Sequence, residues 1–290
     1  MAFFQRQSPR LAEWTVNKIF RNIQNSSFKI RPEWNFSPPC SFRDCLPIIS
    51  DDLVRILEEG SVESVVGVRE VVGADAVELT DGTRLQVDTI IYCTGYKNDF
   101  SLLDPSVDPC RETAGWADHP GVKDSPFPKL YRNIISLDYP DSLAIMGCAL
   151  FPAPSFQCYD LASMAVGQIW ANRSKLPPAE EMQREVDERL ERVRRVAAER
   201  KVLTPGSVSG PEWMKWANEA AGTGVDRYLG WGLDGIKFWL GNWKLCGMLM
   251  GELFSPHVYR LFETGKRKRW DGAEVAIREV NERVRKSHAP

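Results

Sequence analysis

The segment Thr94-Gly95-Tyr96 has the residue types most suited to contact with a bound group. It follows an apolar run, Thr89-Ile-Ile-Tyr92, which begins after Asp88 and is typical of a buried strand. Glycine at the end of such a strand permits a sharp exit and a close approach of the backbone, because it has no Cβ. Two interpretations stay open from these residues alone: a backbone that contacts a bound group, and an ordinary turn from strand to loop.

The side chains that usually carry catalysis or hold metals are scattered along the chain. His119, His257 and His288 lie far apart, and none has an evident serine, cysteine or carboxylate partner. The seven cysteines form no C-x-x-C pair, and Cys40 and Cys45 lack a second pair of ligands, so we predict reduced thiols and no metal site. A net charge of −2 and a pI near 6.0 exclude the dense basic surface that nucleic-acid binding needs. With no signal peptide evident, we expect a cytoplasmic protein without an assigned catalytic residue.

Two predicted helices, a strand and a β-hairpin precede the Thr94 segment. The predicted elements are a helix over 9–29, a short helix over Asp51–Glu59 capped by Ser50 and closed by Gly60, a strand over 62–72, and a hairpin with its turn at Asp81-Gly82. The hairpin rests on the alternation of Val77 and Leu79 before the turn with Leu85 and Val87 after it.

The elements predicted after the Thr94 segment are mostly helices. They are strands over 130–137 and 143–146, a buried helix over Phe156–Trp170 capped by Ser155, a surface helix over Ala179–Lys201, and a last helix from Asp271. The surface helix carries acid-first i,i+4 pairs, of which Glu185–Arg189 is one. Glu274, three residues after Asp271, would complete a capping box.

One literal G-x-G-x-x-G occurs at 230–235, but its surroundings argue against a dinucleotide site. No predicted strand leads into it, Asp234 would repel a phosphate, and Trp231 would crowd the backbone. It belongs to the stretch 228–254, which is rich in tryptophan, leucine, methionine and glycine and carries too many charges to cross a bilayer cleanly. Two interpretations stay open for this stretch: a packed helical hairpin, which we favour, and peripheral contact with a membrane interface.

The order of elements, together with the segment Asp88-x-Ile-Ile-Tyr-x-Thr-Gly-Tyr96, resembles the flavin-containing monooxygenase family. The family's motif has alanine where Cys93 stands here. The resemblance implies FAD binding, with Thr94, Gly95 and Tyr96 at the junction of the flavin and nicotinamide domains. It also implies that Gly147 and the helix start at Ser155 lie near the flavin ring, where free N–H groups and the helix dipole stabilise negative charge.

The N-terminal run Phe3-Phe-Gln-Arg6 is similar to the second strand of the family's nicotinamide domain. In the family that arginine meets the 2′-phosphate of NADP, which suits its planar donors, so the resemblance assigns Arg6 to NADP. Gln7 departs from the family's serine or threonine. The family's two Gly-rich phosphate-binding fingerprints belong upstream of Arg6, which only five residues precede.

The resemblance therefore implies an α/β fold, a partial two-dinucleotide-binding-domain flavoprotein fold with a helical C-terminal extension. Its parts would be a remnant of the NADP-binding domain with a β-hairpin linker (1–90), the closing part of the FAD-binding domain (91–175) and the helical extension (176–290).

Two functions of different classes follow as expectations. The first is a FAD- and NADPH-dependent monooxygenase that oxidises nitrogen, sulfur or a ketone of a small-molecule substrate, with the cofactor carrying the chemistry. As a truncated chain without the fingerprints, it is expected to bind its cofactors poorly by itself. The second is a non-catalytic fragment or accessory subunit that completes its fold with a partner supplying the missing N-terminal half. A truncated gene, in which Met1 is not the true start, is a third interpretation.

Overall fold

The computed structural model describes residues 9–36, 50–93, 99–111, 127–151, 155–200, 206, 208 and 210–287. The chain divides into two compact units, Met1–Tyr96 and Lys97–Pro290, and each is described by itself. Both units combine helices with a small antiparallel sheet.

In the first unit a three-stranded antiparallel sheet follows two helices. The elements are α1 (Pro9–Ser27), a 3₁₀ turn (Pro32–Trp34), α2 (Leu53–Glu58), β1 (Val68–Val71), β2 (Ala76–Leu79) and β3 (Arg84–Gln86). The predicted hairpin between β2 and β3 is confirmed, since Gly82 has φ +86° and the Asp81 carboxylate accepts from the Thr83 N–H at 2.9 Å. Val77 and Leu79 are buried on one face of β2, as the alternation of a strand requires.

The short helix α2 is bounded nearly as the sequence predicts. It begins at Leu53 rather than Asp51, and the Ser50 hydroxyl accepts from the Leu53 N–H at 3.1 Å. Gly60 follows the helix with φ +72°, a left-handed conformation that glycine adopts without strain.

The predicted buried strand over Thr89–Tyr92 is wrong. Residues 87–93 form no strand, and the Ile91 and Tyr92 side chains are 81% and 75% exposed. An apolar run becomes a buried strand only where other elements cover both its faces. Within the described residues the sheet of this unit ends at β3, so nothing there covers the run. Strand β1 also begins at Val68, later than the predicted start at 62.

The second unit opens with a small hairpin. Strands β4 (Leu130–Tyr131) and β5 (Ile135–Ser136) pair in antiparallel fashion, and Ala144 bridges to Ile135. The strands predicted over 130–137 and 143–146 are thus much shorter in the structure. The physical reason is a tight turn, in which Arg132 and Asn133 are left-handed at φ +55° and +60° and the Ile134 N–H donates to the Tyr131 carbonyl at 3.1 Å.

Helices form the rest of the second unit. They are α3 (Ser155–Trp170), α4 (Ala179–Arg200), α5 (Gly210–Ala221), α6 (Val225–Tyr228), α7 (Leu233–Gly241), α8 (Trp243–Gly251), a 3₁₀ turn (Pro256–Arg260) and α9 (Ala273–Ser287). The core lies where α3 packs against α5, and the Trp213 side chain fills it, with its ring 4.5 Å from that of Phe151. Trp213 also donates from Nε1 to the Arg132 carbonyl at 3.0 Å, which fastens the helices to the hairpin turn.

Helix α4 is less of a surface helix than its charge pattern predicts. Instead of forming a solvated pair with Glu185, the Arg189 guanidinium is buried and donates to the Leu130 and Pro128 carbonyls, each at 3.0 Å. Glu185 pairs with Arg132 at 3.0 Å. Burial lowers the pKa of Arg189 to about 10, so the side chain keeps its charge at neutral pH. The i,i+4 pattern did not reveal that this face of α4 packs on the backbone carbonyls of residues 128 and 130.

Two further predictions concern the helical region. Helix α9 begins at Ala273, and the predicted capping box is not formed, because Asp271 accepts from Arg269 Nε at 3.3 Å and Glu274 pairs with Arg278 at 2.7 Å. Residues 228–254 contain the consecutive helices α7 and α8, which meet at Asn242, and their packing as a hairpin stays a prediction. The domain boundaries at 90 and 175 stay predictions.

Candidate functional site

Two of the six predicted cofactor-binding residues lie in the described structure. Gly147 lies in the chain that follows Ala144, and Ser155 is the first residue of α3. Arg6, Thr94, Gly95 and Tyr96 lie outside the described residues, so their assignments stay predictions.

Gly147 has the backbone geometry and the surroundings of a residue that a flat group could approach. Its φ is +101°, a region that side-chain-bearing residues avoid. No atom of the described residues lies within 4 Å of the position that a Cβ would take, so among them the space beside this backbone is open. A side chain here would both strain the turn and fill that space.

The first residues of α3 are exposed as well. Ser155 is exposed, and the first turn of the helix carries no acidic side chain. The first N–H groups of a helix have no partner within it and carry the positive end of the dipole, so this end can accept a carbonyl oxygen or an anion. The next residue, Phe156, is 92% exposed, which leaves a large aromatic ring uncovered beside these N–H groups.

The chain after Gly147 is held against the first two turns of α3. The Tyr159 hydroxyl donates to the Ala149 carbonyl at 2.8 Å, and the Tyr159 ring lies edge-on to that of Phe151 at 5.2 Å. The structure therefore fixes the segment that follows Gly147 against α3, and the assignment of Gly147 and Ser155 to a flavin stays a prediction.

The opposite side of α3 is anchored to the 3₁₀ turn at 256–260. Gln157 Nε2 donates to the Tyr259 hydroxyl at 3.2 Å, and Arg260 donates to both carboxylate oxygens of Asp160 at 2.6 and 2.7 Å. Such a two-pronged, partly buried pair fixes orientation as well as position. Burial also raises the pKa of the Tyr259 hydroxyl, so this group remains protonated.

These anchoring residues were missed by sequence reasoning. Arg260 meets Asp160 across 100 residues of chain, and no local periodicity signals a contact of that separation. The only available signal was the carboxylate at 160 on a helix that is otherwise apolar on its buried side.

The cysteines beside the site are not nucleophiles. Cys148 follows Gly147, and Cys158 lies on α3; both are free and buried. Burial raises the pKa of each thiol to about 11, so the neutral form dominates at physiological pH. Cys110, Cys148, Cys158 and Cys246 all have pKa values raised by burial, in agreement with reduced thiols in a protein interior.

The described residues contain neither a metal-binding cluster nor a membrane-spanning helix. Within 9–36, 50–93, 99–111 and the later described ranges, no group of three or more His, Cys, Asp or Glu side chains is arranged to hold a metal ion. Among the helices that the structure describes, none combines the length and the apolar character needed to cross a membrane.

Of the glycines in the literal G-x-G-x-x-G, Gly230 and Gly232 lie between α6 and α7, and Gly235 lies in the first turn of α7. A Cβ at Gly235 would collide with the Gly230 carbonyl, and a Cβ at Gly230 would collide with the Asp226 carbonyl. A helix, not a strand, precedes the first glycine. Close packing of the loop on itself therefore accounts for both residues.

Among the described residues from 146 to 157, the segment at Gly147 and the start of α3 carry no acidic or basic side chain. Comparison with known protein families gives this geometry a context. The chain matches the family described as flavin-binding monooxygenase-like over residues 3–289, and it belongs to that family.

Similar proteins include named monooxygenases. Monooxygenase aurF of Gibberella zeae is 40% identical over 277 residues, which cover 95% of this chain and 52% of that protein. Flavin-containing monooxygenase 5 of Homo sapiens is 26% identical over 245 residues, covering 83% of this chain and 40% of that protein. A 4-hydroxybenzoate brominase (decarboxylating) of Pseudoalteromonas luteoviolacea is 32% identical over 89 residues. The chain thus spans about half, or less, of the length of the curated relatives it matches.

Proposed function

We propose that this chain supplies the C-terminal part of a FAD- and NADPH-dependent monooxygenase that oxidises nitrogen, sulfur or a ketone of a small-molecule substrate. The observation that carries the proposal is the left-handed Gly147, whose missing side chain leaves room among the described residues, in a chain segment that Tyr159 of α3 holds through the Ala149 carbonyl. Membership of the flavin-binding monooxygenase-like family over 3–289 supports it. When bound, the flavin would supply the redox and oxygen chemistry.

The residues of this chain would position the flavin rather than react. The Gly147 backbone allows a flat ring to approach, and the N–H groups at Ser155 offer hydrogen bonds to a ring carbonyl oxygen. Tyr159 and the Asp160–Arg260 pair would keep these groups in a fixed geometry, which is the protein's main contribution in cofactor chemistry. We assign Thr94, Gly95 and Tyr96 to the same cofactor and Arg6 to the 2′-phosphate of NADP on the sequence resemblance alone.

The fit covers only the ring end of the cofactor. The literal Gly-rich motif at 230–235 packs on its own backbone, and the described residues contain no strand-to-helix glycine loop for a pyrophosphate. We therefore propose a partial two-dinucleotide-binding-domain fold with a helical C-terminal extension, in which the upstream half holds the phosphates. On this proposal the 290-residue chain binds FAD weakly by itself, and co-expression with an upstream half from a relative such as aurF restores stoichiometric binding.

The test compares two glycines in the co-expressed protein. Gly147→Val should abolish bound flavin absorbance, because it fills the space reserved for the ring. The control is Gly265→Val, since Gly265 is also left-handed, at φ +80°, with open space around it. Both variants carry a similar backbone strain of about 1–2 kcal/mol, so only a site effect separates them. Equal flavin content in the two variants, measured by absorbance per protein, would contradict the assignment of Gly147.

A second candidate is a non-catalytic fragment or accessory subunit that completes its fold with a partner chain. Exposed Val68 and Val71 on β1 and exposed Ile91 and Tyr92 favour it, because an uncovered strand face and an apolar run invite pairing. In this case the co-expressed halves would copurify without flavin and without consuming NADPH. A stable, monodisperse monomer that ignores the upstream half would count against the second candidate.

A further inference from the structure

Helices α7 and α8 and the loop before them expose a set of apolar side chains that the site does not use. We name this set the tryptophan surface: Trp231, Leu233, Trp239, Leu240, Trp243 and Met250. Trp231 is 96% exposed and sits in the loop that leads into α7. Single exposed apolar residues need no explanation, but a concentration of this kind marks an interaction surface.

The exposed residues follow helical faces. On α7, Leu233, Ile236, Lys237 and Leu240 are all exposed and recur at i, i+3, i+4 and i+7, which places them on one side of the helix. The opposite side of α7 presents the buried Gly235 and the half-buried Phe238 to the core of the unit. Both sides of the helix therefore carry apolar side chains. One side packs on the unit, and the other is exposed.

Helix α8 continues the pattern after Asn242. Trp243, Gly247 and Met250 lie on its exposed face at i, i+4 and i+7, while Leu245 and Leu249 are buried. A tight loop fixes the aromatic tip of this surface, since a Cβ at Gly230 or Gly235 would collide with a backbone carbonyl. The surface is thus presented by packed elements and does not need to order on binding.

The charged residues near the tryptophan surface indicate which kind of partner it binds. Between 229 and 251 the charged residues are Asp234, Lys237 and Lys244. Asp234 accepts from Arg227 at 2.6 Å, which neutralises it and leaves the two lysines as the net charge. Neither lysine forms an ion pair within the described residues, and Lys244 Nζ lies 5.5 Å from the centroid of the Trp243 ring.

From these observations we infer that the tryptophan surface docks on the interface of a lipid bilayer that contains anionic lipid. Tryptophan is enriched where one part of a side chain meets hydrocarbon and the other meets head groups, and lysine stems reach along apolar surface to anionic phosphates. Protein–protein interfaces also use tryptophan, but they are depleted in lysine at their centre. Lys237 lies on the exposed apolar face of α7 and Lys244 lies beside Trp243 on α8, and this mixture of lysine with apolar side chains favours the bilayer. The helices would lie in the interface plane rather than cross it.

The experiment is flotation of the 290-residue protein with vesicles. One set contains phosphatidylcholine alone and the other contains phosphatidylcholine mixed with phosphatidylserine. We expect the protein to float with the mixed vesicles, to float less with the neutral ones, and to be released partly by salt. Tryptophan emission should shift to shorter wavelength on binding, because the rings leave water.

Matched variants assign the binding to this surface. Trp231→Ser combined with Trp243→Ser should weaken vesicle binding on the order of a hundredfold, because two large apolar groups stay in water. Trp14→Ser is the control, since Trp14 is also exposed but lies on α1 in the first unit. Equal losses in the two variants would overturn the assignment.

Lysine variants provide a second arm that does not touch the apolar residues. Lys237→Gln and Lys244→Gln should each weaken binding to the mixed vesicles about fivefold and leave binding to neutral vesicles unchanged. Lys175→Gln, at an exposed position before α4, should have no such effect.

Three results would overturn the inference. One is a monomer that floats with neither kind of vesicle. Another is a dimer that Trp231→Ser dissociates and that binds no lipid, since a second copy would then cover the surface. The third is loss of vesicle binding in the protein completed by an upstream half, which would mean that the missing half covers it.

Discussion

Apolar residues of similar sequence pattern are buried in the core of the second compact unit and exposed on β1 of the first. In the second unit Trp213, Tyr259 and Leu161 are buried where α3, α5 and the 3₁₀ turn at 256–260 meet. In the first unit the valines of β1 and the run 90–92 remain exposed, although β-branched residues favour strands there as well. Local preference forms the hairpin in both cases. Burial additionally needs a covering element, which the described part of the first unit does not provide.

The largest expected effect contrasts a tryptophan from each unit. Trp213→Ala should lower the free energy of unfolding by about 3–5 kcal/mol, because it empties the core and frees the Arg132 carbonyl. Trp14→Ala, on the exposed face of α1, should change it by less than about 0.5 kcal/mol. Urea unfolding followed by circular dichroism measures both. Similar values for the two variants would refute the contrast between the units.

A smaller effect is expected for the half-buried arginine of α4. Arg189→Ala should cost roughly 1–3 kcal/mol, because the Pro128 and Leu130 carbonyls lose the guanidinium and only Leu130 keeps a second donor, the Asn133 N–H. Arg184→Ala on the same helix is the control, since its exposed pair with Glu188, at 4.0 Å, contributes less than about 1 kcal/mol. If urea unfolding gave equal costs, Arg189 would be the solvated side chain that its sequence pattern suggests.

The cysteines of the two units also differ in burial and therefore in thiol reactivity. Cys93 in the first unit is exposed, whereas Cys148 and Cys158 in the second are buried with pKa values raised from 9.0 to about 11. Their thiolate fraction at neutral pH is therefore about a hundredfold below that of a thiol with a pKa of 9.0, and burial also blocks access, so iodoacetamide should label the exposed Cys93 before either of them. Peptide mapping by mass spectrometry follows the order of labelling, and early labelling of Cys148 would contradict the burial.

These raised pKa values also set a pH dependence. Because the neutral thiols are favoured in the folded state, their contribution to stability is fully present below pH 9.0 and is lost as the pH rises through about 11. The midpoint of urea unfolding should fall across that window. Replacing Cys148 and Cys158 by alanine should flatten the fall, even though the variants start from lower stability.

The smallest expected effect is within the sheet of the first unit. Val68→Thr on exposed β1 should change the free energy of unfolding by less than about 0.5 kcal/mol, whereas Val77→Thr on the buried face of β2 should cost about 1–3 kcal/mol. In the protein completed by an upstream half, a larger cost for Val68→Thr would show that the added half covers β1. An unchanged value there would show that this face stays in solvent.

Sequence reasoning succeeded where the signal is local. Periodicity predicted α1, α3 and α4 closely, and the Asp81-Gly82 turn predicted the β2–β3 hairpin. These elements depend on side chains three or four residues apart or on two turn residues, so one stretch of sequence contains the needed information.

It failed where the outcome depends on distant chain. The run at Thr89–Tyr92 has the composition of a buried strand, but composition does not say what covers it. Arg189 has the spacing of a surface pair, but the carbonyls that bind it lie about 60 residues earlier. At the site, Gly147 and Ser155 could be found from resemblance, whereas the Asp160–Arg260 anchor could not, since its partners are 100 residues apart.

The left-handed turn at Arg132 and Asn133 has a consequence for the order of folding. Its hairpin is closed by neighbours in sequence and can form within about 1–10 μs. Its partners, Gly206 for the Asn133 amide and Trp213 for the Arg132 carbonyl, lie 73 and 81 residues away and must first close long loops. We therefore expect the turn to be present in the transition state and the docking of α5 to complete it. In stopped-flow kinetics, Arg132→Gly, which relieves the left-handed backbone, should mainly speed refolding, while Trp213→Phe should mainly speed unfolding. The reverse pattern would mean that the helices assemble before the turn forms.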